Sequence, residues 1–476
     1  MIEAAHAGGR FRGWAVKLKQ RPEDFSVIES YRFEENPRGE YFVYRMDKQK
    51  LSTLAAVERL RERFKVRRQD VSFCGLKDKQ GRTEQLIAVH KKQVELQDPD
   101  LRLTFVGRTT EPLSARNITS NRFSVIVRDL SLEEAERVPE SVAEVERTGV
   151  VNYFDSQRFG FVKHGQGFIA KDLLRGDLQS ALKSLIAKPS ELDQSEDARV
   201  KKWFAENWGE WNKKPPYQSW MKYRPIIQRL QENPYDFSGA LMAIDRRLRA
   251  MVVFEYQSYL WNDAVRRYLS GKVPARDLVL LRYQIGTLLF PRALPSDLAR
   301  TFRSKTFPLL AKDSTFDDAE VKAANQATLE RERLSLDRLE VTKVNAFHFK
   351  HEERPLFVYP GKLRASEPRP DEANRGRFKV VLSFTLPPGA YATLVVRRLL
   401  WFATAEHKEE AAKHKAPKRK PVIEQPEAAP PKATPPEVAP PKAASPKAKK
   451  GFLERQKERK TARAQARTEA AKRTRT

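Results

Sequence analysis

"FKVVLSFTLPPGAYATLVVRRLLWF", residues 378–402, reads as a strand, a turn and a helix. Phe378–Leu386 is the strand. Pro387–Gly389 is the turn, because proline presets one backbone angle and glycine frees another. Tyr391–Phe402 is an apolar helix. The stretch decides the fold because of what lies before it. From about Gly160 to Glu340 the sequence is mostly helical in texture, and then strand character returns. The returning residues are expected to complete a domain begun at the N-terminus, with the middle region inserted into it.

The first 150 residues alternate strands and helices. Phe25–Phe33, Tyr41–Asp47, Val71–Phe73, Thr83–His90, Leu101–Val106 and Arg122–Val127 are rich in β-branched and aromatic residues and read as strands. Ser52–Phe64 reads as a helix with Leu54, Val57 and Leu60 at helical spacing. Ser131 followed by Glu134 is a capping box, so a helix is expected from about Leu132 to Arg147, ended by Gly149. Short turns join several neighbouring strands. The fold class is therefore α/β in the α+β sense: a mixed, largely antiparallel sheet with helices packed on it.

In the middle region, Phe254–Leu269 predicts a strong amphipathic helix and Phe316–Asp337 a long polar one. "YQIGTLLFPRA", from Tyr283, predicts a short strand and turn. His348 and His351 have a zinc-compatible spacing, but no HExxH context surrounds them and the one cysteine, Cys74, is distant, so they read as surface or core histidines. The expected limits are 1–160 and 341–404 for the split domain and 161–340 for the insertion.

The formal net charge is +28, which favours a polyanionic partner without specifying the fold. Residues 405–476 hold 20 Lys/Arg against 9 Glu, ten of the 30 prolines and one aromatic, Phe452. Such a segment buries too little surface to fold and reads as a disordered basic tail. A single cysteine excludes an internal disulfide framework and every cysteine-rich zinc pattern. No apolar run reaches the roughly 18 residues of a membrane helix, and the N-terminus lacks the apolar core of a secretory signal. The expected compartment is the cytoplasm. Neither a GxGxxG fingerprint nor a GxxxxGK[ST] phosphate loop occurs.

One stretch carries candidate chemistry. "FCGLKDKQGRTEQ", Phe73–Gln85, places Asp78 between two lysines and near two glycines, directly after an apolar strand. A polar turn is the plain explanation. The resemblance of the whole chain argues otherwise. Six segments resemble, in order, the motifs of the TruD family of tRNA pseudouridine synthases, whose eukaryotic relatives include the Pus7 enzymes. They are "RPEDFSVIE" (Arg21–Glu29) with Lys19 before it, "VSFCGLKDKQGRTEQ" (Val71–Gln85), "NRFSVIVR" (Asn121–Arg128), "GVVNYFDSQRFG" (Gly149–Gly160), "YQSYLWN" (Tyr256–Asn262) and "FTLPPGAYATLVVRRLL" (Phe384–Leu400). Two positions depart from the family's closing motif: Ala390 stands for its usual serine and Arg398 for its usual glutamate.

The resemblance implies a pseudouridine-synthase-like catalytic domain interrupted by an inserted α/β TRUD domain. It implies an enzyme that isomerises uridine in RNA, with uridine 13 of tRNA-Glu as the target. Asp78 would be the catalytic carboxylate, acting on the ribose as nucleophile or as base. Lys19 would keep it ionised. Phe123 would stack on a uracil taken out of the RNA helix, and Asn121 would fix the loop or the nucleotide. Lys77 and Lys79 are expected at phosphate or in solvent, and Gln157 and Arg158 near the junction with the insertion or on the RNA. No metal or organic cofactor is implied. The expected partner is tRNA, with no DNA and no membrane, bound by a monomer. The competing readings are a non-catalytic RNA-binding protein that keeps the fold, and a synthase acting on rRNA or mRNA.

Overall fold

The computed structural model describes residues 17–77, 79–160, 167–189, 193, 195–283 and 286–403. The chain first lays down β1 (Phe25–Tyr31), β2 (Tyr41–Gln49), helix α1 (Thr53–Phe64), β3 (Val71–Phe73), β4 (Arg82–His90), β5 (Leu101–Thr109) and β6 (Ile118–Leu130). Helices α2 (Leu132–Glu136) and α3 (Val138–Thr148) and the short β7 (Val150–Val151) follow. The middle region contains α4 (Ile169–Leu174), α5 (Leu178–Ile186), α6 (Ser195–Glu206), α7 (Arg224–Glu232), α8 (Phe237–Met242), α9 (Arg246–Lys272), the hairpin β8 (Leu278–Tyr283) and β9 (Gly286–Pro291), α10 (Ser296–Ser304), β10 (Thr306–Leu309) and α11 (Ala319–Glu332). The closing part supplies β11 (Glu352–Pro355), β12 (Phe357–Val358), β13 (Gly361–Ala365), β14 (Arg369–Pro370), β15 (Phe378–Leu386) and α12 (Ala392–Leu399).

Nine strands form one sheet among the described residues, in the order β13-β15-β6-β1-β4-β2-β5, with β14 beside β15 and β3 beside β4. All pairs are antiparallel except β1 with β4. The sheet is thus mixed and largely antiparallel, as the short connections imply. Strand β15 pairs along β6, from Phe378 opposite Leu130 to Leu386 opposite Asn121. The strands that return after the middle region therefore enter the sheet begun at residue 25.

Local chemistry explains several of the element ends. Ser52 accepts the Ala55 N–H and caps α1. Ser131 and Glu134 form the reciprocal capping box. The helix expected after that box is nevertheless split at Arg137, because Pro139 lacks the N–H that a continuous helix needs and starts a new first turn instead. Gly149 closes α3 at φ 72°, a conformation that favours glycine.

Helices cover one sheet face in two places. Helix α1 buries Ala56, Val57 and Leu60 with Ile87, Val89 and Leu103. At the other end α3 and α12 enclose Val125, Val127, Leu382 and Phe384. That second core continues without a break into the middle region, since Val27 and Phe123 belong to the same cluster as Leu260 and Trp261. Helix α9 differs from the amphipathic expectation for the same reason. It is enclosed on several sides, and its inward polar groups are satisfied within the helix and by other elements: Gln257 donates to the Leu310 and Lys350 carbonyls, and Asp263 pairs with Arg266 and Arg267 of the same helix and with Arg331 of α11.

Candidate active site

Asp78 lies outside the described residues, but the loop that carries it is anchored on both sides. Thr53, in the first turn of α1, is fully buried and bonds twice. Its hydroxyl accepts the Lys77 N–H at 2.9 Å and donates to Gln85 Oε1 at 2.8 Å. Gln85 in turn donates from Nε2 to the Gly75 carbonyl at 2.9 Å. Two buried polar side chains thus fix the backbone just before residue 78. Such a network is costly if incomplete and rigid when satisfied.

Lys77 points inward, where phosphate or solvent was expected. Its ammonium sits 2.5 Å from Glu29 Oε1, and the Glu29 side chain has no exposed surface. Glu29 Oε2 accepts the Leu86 N–H at 3.1 Å, just beyond the paired residues of β1 and β4. A buried carboxylate needs both a cation and hydrogen bonds, and here the lysine of the loop supplies the charge. Lys79, by contrast, is exposed.

Beyond residue 78 the chain returns through Gly81. A Cβ there would lie 2.3 Å from the Phe25 carbonyl oxygen, so only glycine lets the loop end approach the start of β1. Gly75 is different: a Cβ would meet only Ile118 Cδ1, at 3.7 Å.

Phe25 links this loop end to the other candidates. The Lys19 ammonium lies 4.2 Å from the Phe25 ring centroid, and Lys19 itself adopts φ 53°, uncommon for a residue with a side chain. The segment around Lys19 is held by Asp24, which caps the turn at Arg21 N and binds the buried Arg128 guanidinium. Phe25 meets Phe123 edge-on at 6.1 Å, and Phe123 stacks on Phe384 at 5.4 Å. Phe123 is a largely buried member of this three-ring wall, which joins β1, β6 and β15. Asn121, two residues away on the same face, stands opposite Glu29 and Leu386. Its Oδ1 is buried without a hydrogen-bond partner.

The structure therefore brings Lys19, Phe123, Asn121 and the two ends of the Asp78 loop to one region, the seam on the sheet between α1 and the α3–α12 layer. Gln157 and Arg158 lie elsewhere. Gln157 is exposed in a helical turn, Ser156–Arg158. The Arg158 guanidinium covers the Phe254 ring at 4.3 Å and donates to the Tyr391 hydroxyl at 3.2 Å. The surrounding segment is a junction. Asn262 bonds both backbone groups of Phe154, Tyr283 donates to the Phe154 carbonyl, and Thr393 donates to buried Asp155. Arg354 adds bonds to Asn152 and to the Gly389 carbonyl, and burial pulls its guanidinium down to about 10.

Cys74 is buried at the start of the loop, and burial together with Glu29 pushes its thiol up to about 12. It is unsuited to nucleophilic work, which requires thiolate. Sequence reasoning missed Glu29, Thr53 and Gln85. The signal was available in part, because Glu29 follows Phe25 and Val27 at the inward position of an alternating strand, where an acid needs a partner.

The family model "tRNA pseudouridine synthase D (TruD)" matches residues 8–399. This chain belongs to the TruD family of tRNA pseudouridine synthases. A Methanocaldococcus jannaschii relative, "Probable tRNA pseudouridine synthase D 2", is 33% identical over 393 residues, covering 81% of this chain and 92% of that one. "tRNA pseudouridine synthase D" of Aquifex aeolicus is 28% identical, covering 81% and 98%. A solved Methanosarcina mazei chain described as "Putative tRNA pseudouridine synthase D (TruD)" superposes with a TM-score of 0.61 at 25% identity, over 83% of this chain and 95% of that one. The TruD family makes this chain an isomerase of the pseudouridine synthase class. Among the described residues no helix is long and apolar enough to cross a membrane.

The two departures from the TruD closing motif now have locations. Arg398 is fully buried and faces Glu144 of α3 at 3.0 Å, with its Nε donating to the Pro291 carbonyl. It is an internal contact rather than an RNA-facing charge. Ala390 lies in the turn before α12, its N–H donating to the Pro387 carbonyl at 3.4 Å.

Proposed function

We propose that this protein converts one uridine of tRNA, uridine 13 with tRNA-Glu as the preferred substrate, to pseudouridine, and that Asp78 is the reacting carboxylate. The observation that carries the reading is the anchoring of the Asp78 loop: Thr53, Gln85 and Glu29 fix its first half, Gly81 fixes its end against Phe25, and Phe25 carries Lys19 and Phe123. A polar surface turn has no need of three buried polar anchors.

In this reading the N1–C1′ bond breaks, the uracil turns, C5 bonds to C1′ and gives up its proton, and N1 takes up a proton, so the net change is an isomerisation. An ionised carboxylate either adds to the ribose or removes a ribose proton. Lys19 favours the ionised form, and Phe123 with Asn121 holds the extruded base. Gln157 and the exposed Lys79 lie on the RNA-facing side, while Lys77 serves the loop. The split-domain limits 1–160, 161–340 and 341–404 are part of the same reading, with RNA received between the sheet and the inserted region. The enzyme acts as a cytoplasmic monomer without metal or organic cofactor.

Pseudouridine mapping in total RNA from cells with and without this protein tests the assignment. A signal at position 13 of tRNA-Glu that disappears with the protein supports it. An unchanged tRNA pattern with a lost rRNA or mRNA signal moves the substrate, and no lost signal anywhere leaves a binding protein.

A further inference from the structure

Lys19 is tied down on both sides, and the ties converge on one residue of another strand, Arg128 of β6. Before Lys19, the Lys17 N–H donates to the Arg128 carbonyl at 3.1 Å and the Arg128 N–H to the Lys17 carbonyl at 3.0 Å. After it, the Arg128 guanidinium grips Asp24 at 2.8–3.0 Å, and Asp24 accepts the Arg21 N–H at 2.8 Å. A third tie runs through Asp371, which accepts from Arg128 Nη1 at 2.7 Å. The Asn374 amide donates to Asp371 at 2.7 Å and to Gln20 at 3.0 Å. Arg128, Asp24 and Asp371 are all buried. Between these ties Lys19 holds φ 53°, a conformation that persists in a residue with a side chain only where its surroundings impose it.

We infer that Arg128 is a positioning residue for the reaction: through Lys17 and Asp24 it fixes where the Lys19 ammonium stands. The inference rests on the proposed function, in which Lys19 keeps the reacting carboxylate ionised, and it gives Arg128 a task that the sheet alone does not require. A buried ion pair adds little stability that apolar side chains of similar volume would not also give. What a guanidinium adds is direction, because its planar fork meets carboxylates at fixed angles. Here Nε and Nη2 meet Asp24 while Nη1 meets Asp371. Phe25 follows Asp24 in the chain, so the same grip steadies the ring on which the Lys19 ammonium rests, 4.2 Å from its centroid. The other charged groups around Arg128 are engaged with one another. Glu372 lies 3.0 Å from Nη2 and also pairs with Arg21 and Lys379, and Asp129 pairs with Lys17 and Arg377.

The test uses Arg128→Lys, which keeps the charge and loses the fork. A point charge cannot hold two carboxylates in register. On the target tRNA, kcat should fall about tenfold, the effect of moving a group by less than about 1 Å, with KM within about twofold of wild type. The acid limb of the kcat–pH profile should also move up by about one unit, because a carboxylate that loses a nearby cation is protonated more readily. Asp24→Asn is the milder variant, since an amide oxygen still serves the Arg21 N–H and Arg128 keeps Asp371. It should show both changes in smaller measure, and it carries the test if Arg128→Lys does not fold. Glu144→Gln is the control, a buried pair broken at the α3–α12 contact. Assayed well below its melting midpoint, it should keep the wild-type kcat and profile. Unchanged kcat in Arg128→Lys and Asp24→Asn would overturn the inference. So would a lower kcat with an unmoved acid limb, or an equal loss in Glu144→Gln, because each assigns Arg128 to the fold alone. Failure of the functional reading is separate and would appear as no turnover by the wild-type enzyme.

Discussion

The Lys77 ammonium lies 2.5 Å from the Glu29 carboxylate, and the same carboxylate receives the Leu86 N–H. One buried acid therefore ties the loop before residue 78 to the strand after it. Removing one partner of a buried ion pair typically costs about 3–5 kcal/mol. Lys77→Met and Glu29→Gln should both lower the unfolding free energy by an amount in that range. A solvent-facing lysine would change stability by less than about 0.5 kcal/mol. Unchanged stability in Lys77→Met, measured by urea unfolding, would contradict the inward assignment.

The two glycines flanking the loop should respond oppositely. Gly81→Ala places a methyl 2.3 Å from the Phe25 carbonyl, so backbone must move. A displacement of about 1 Å at a reacting group costs roughly 100-fold, and turnover should fall on that order. Gly75→Ala meets only ordinary contact at 3.7 Å and should keep turnover within about threefold of wild type. Steady-state kinetics on one tRNA separates the cases, and equal effects would contradict the close approach at Gly81.

Arg398 and Glu144 form a buried pair between α12 and α3, and burial depresses the Arg398 guanidinium while Glu144 raises it again. Glu144→Gln leaves that guanidinium short of its counter-charge and should destabilise by about 3–5 kcal/mol. Replacing both residues with leucine should recover much of the loss, since apolar substitutes of similar volume are often neutral. Denaturant melts of the two variants decide it. A Glu144→Gln melt that coincides with wild type would show that the pair contributes nothing.

Acid should loosen the Lys19 segment. Burial raises the Asp371 carboxyl, but the Asn374 amide, the Ala373 and Asp129 N–H groups and Arg128 more than offset this and hold it below its usual 3.8. A depressed carboxylate contributes stability that is complete above its unfolded value and is lost as pH falls through the folded value. Stability should therefore be flat above about pH 5 and decline below about pH 4. Asp371→Asn should flatten part of that acid slope. An identical slope in the variant, followed by circular dichroism against pH, would remove Asp371 from the account.

Much of the fold was legible because period and punctuation are local. Phe378–Leu386 and the PPG turn marked the closing strand, and Ser52 and Ser131 marked helix starts. Pro139 was visible too, yet the capping box outweighed it and the break at Arg137 went unread. The amphipathic reading of α9 fell short because enclosure on several sides depends on distant chain segments. The site was legible only as motifs. Nothing local says that Lys77 turns inward while Lys79 stays exposed, because the partner, Glu29, comes from a strand far earlier in the chain. The unpaired state of the Asn121 Oδ1 is likewise a property of three strands in register, β1, β6 and β15.

The most direct test concerns Asp78. Asp78→Asn keeps the side-chain shape and removes the charge, so tRNA binding should stay within about threefold of wild type, because phosphate contacts dominate affinity. Release of tritium from 5-tritiated uridine in tRNA, measured beside filter binding, reads chemistry and binding separately. Full binding with no detectable tritium release is the expected result for Asp78→Asn. Robust release by the folded variant would contradict it and return residues 73–85 to the role of a polar turn.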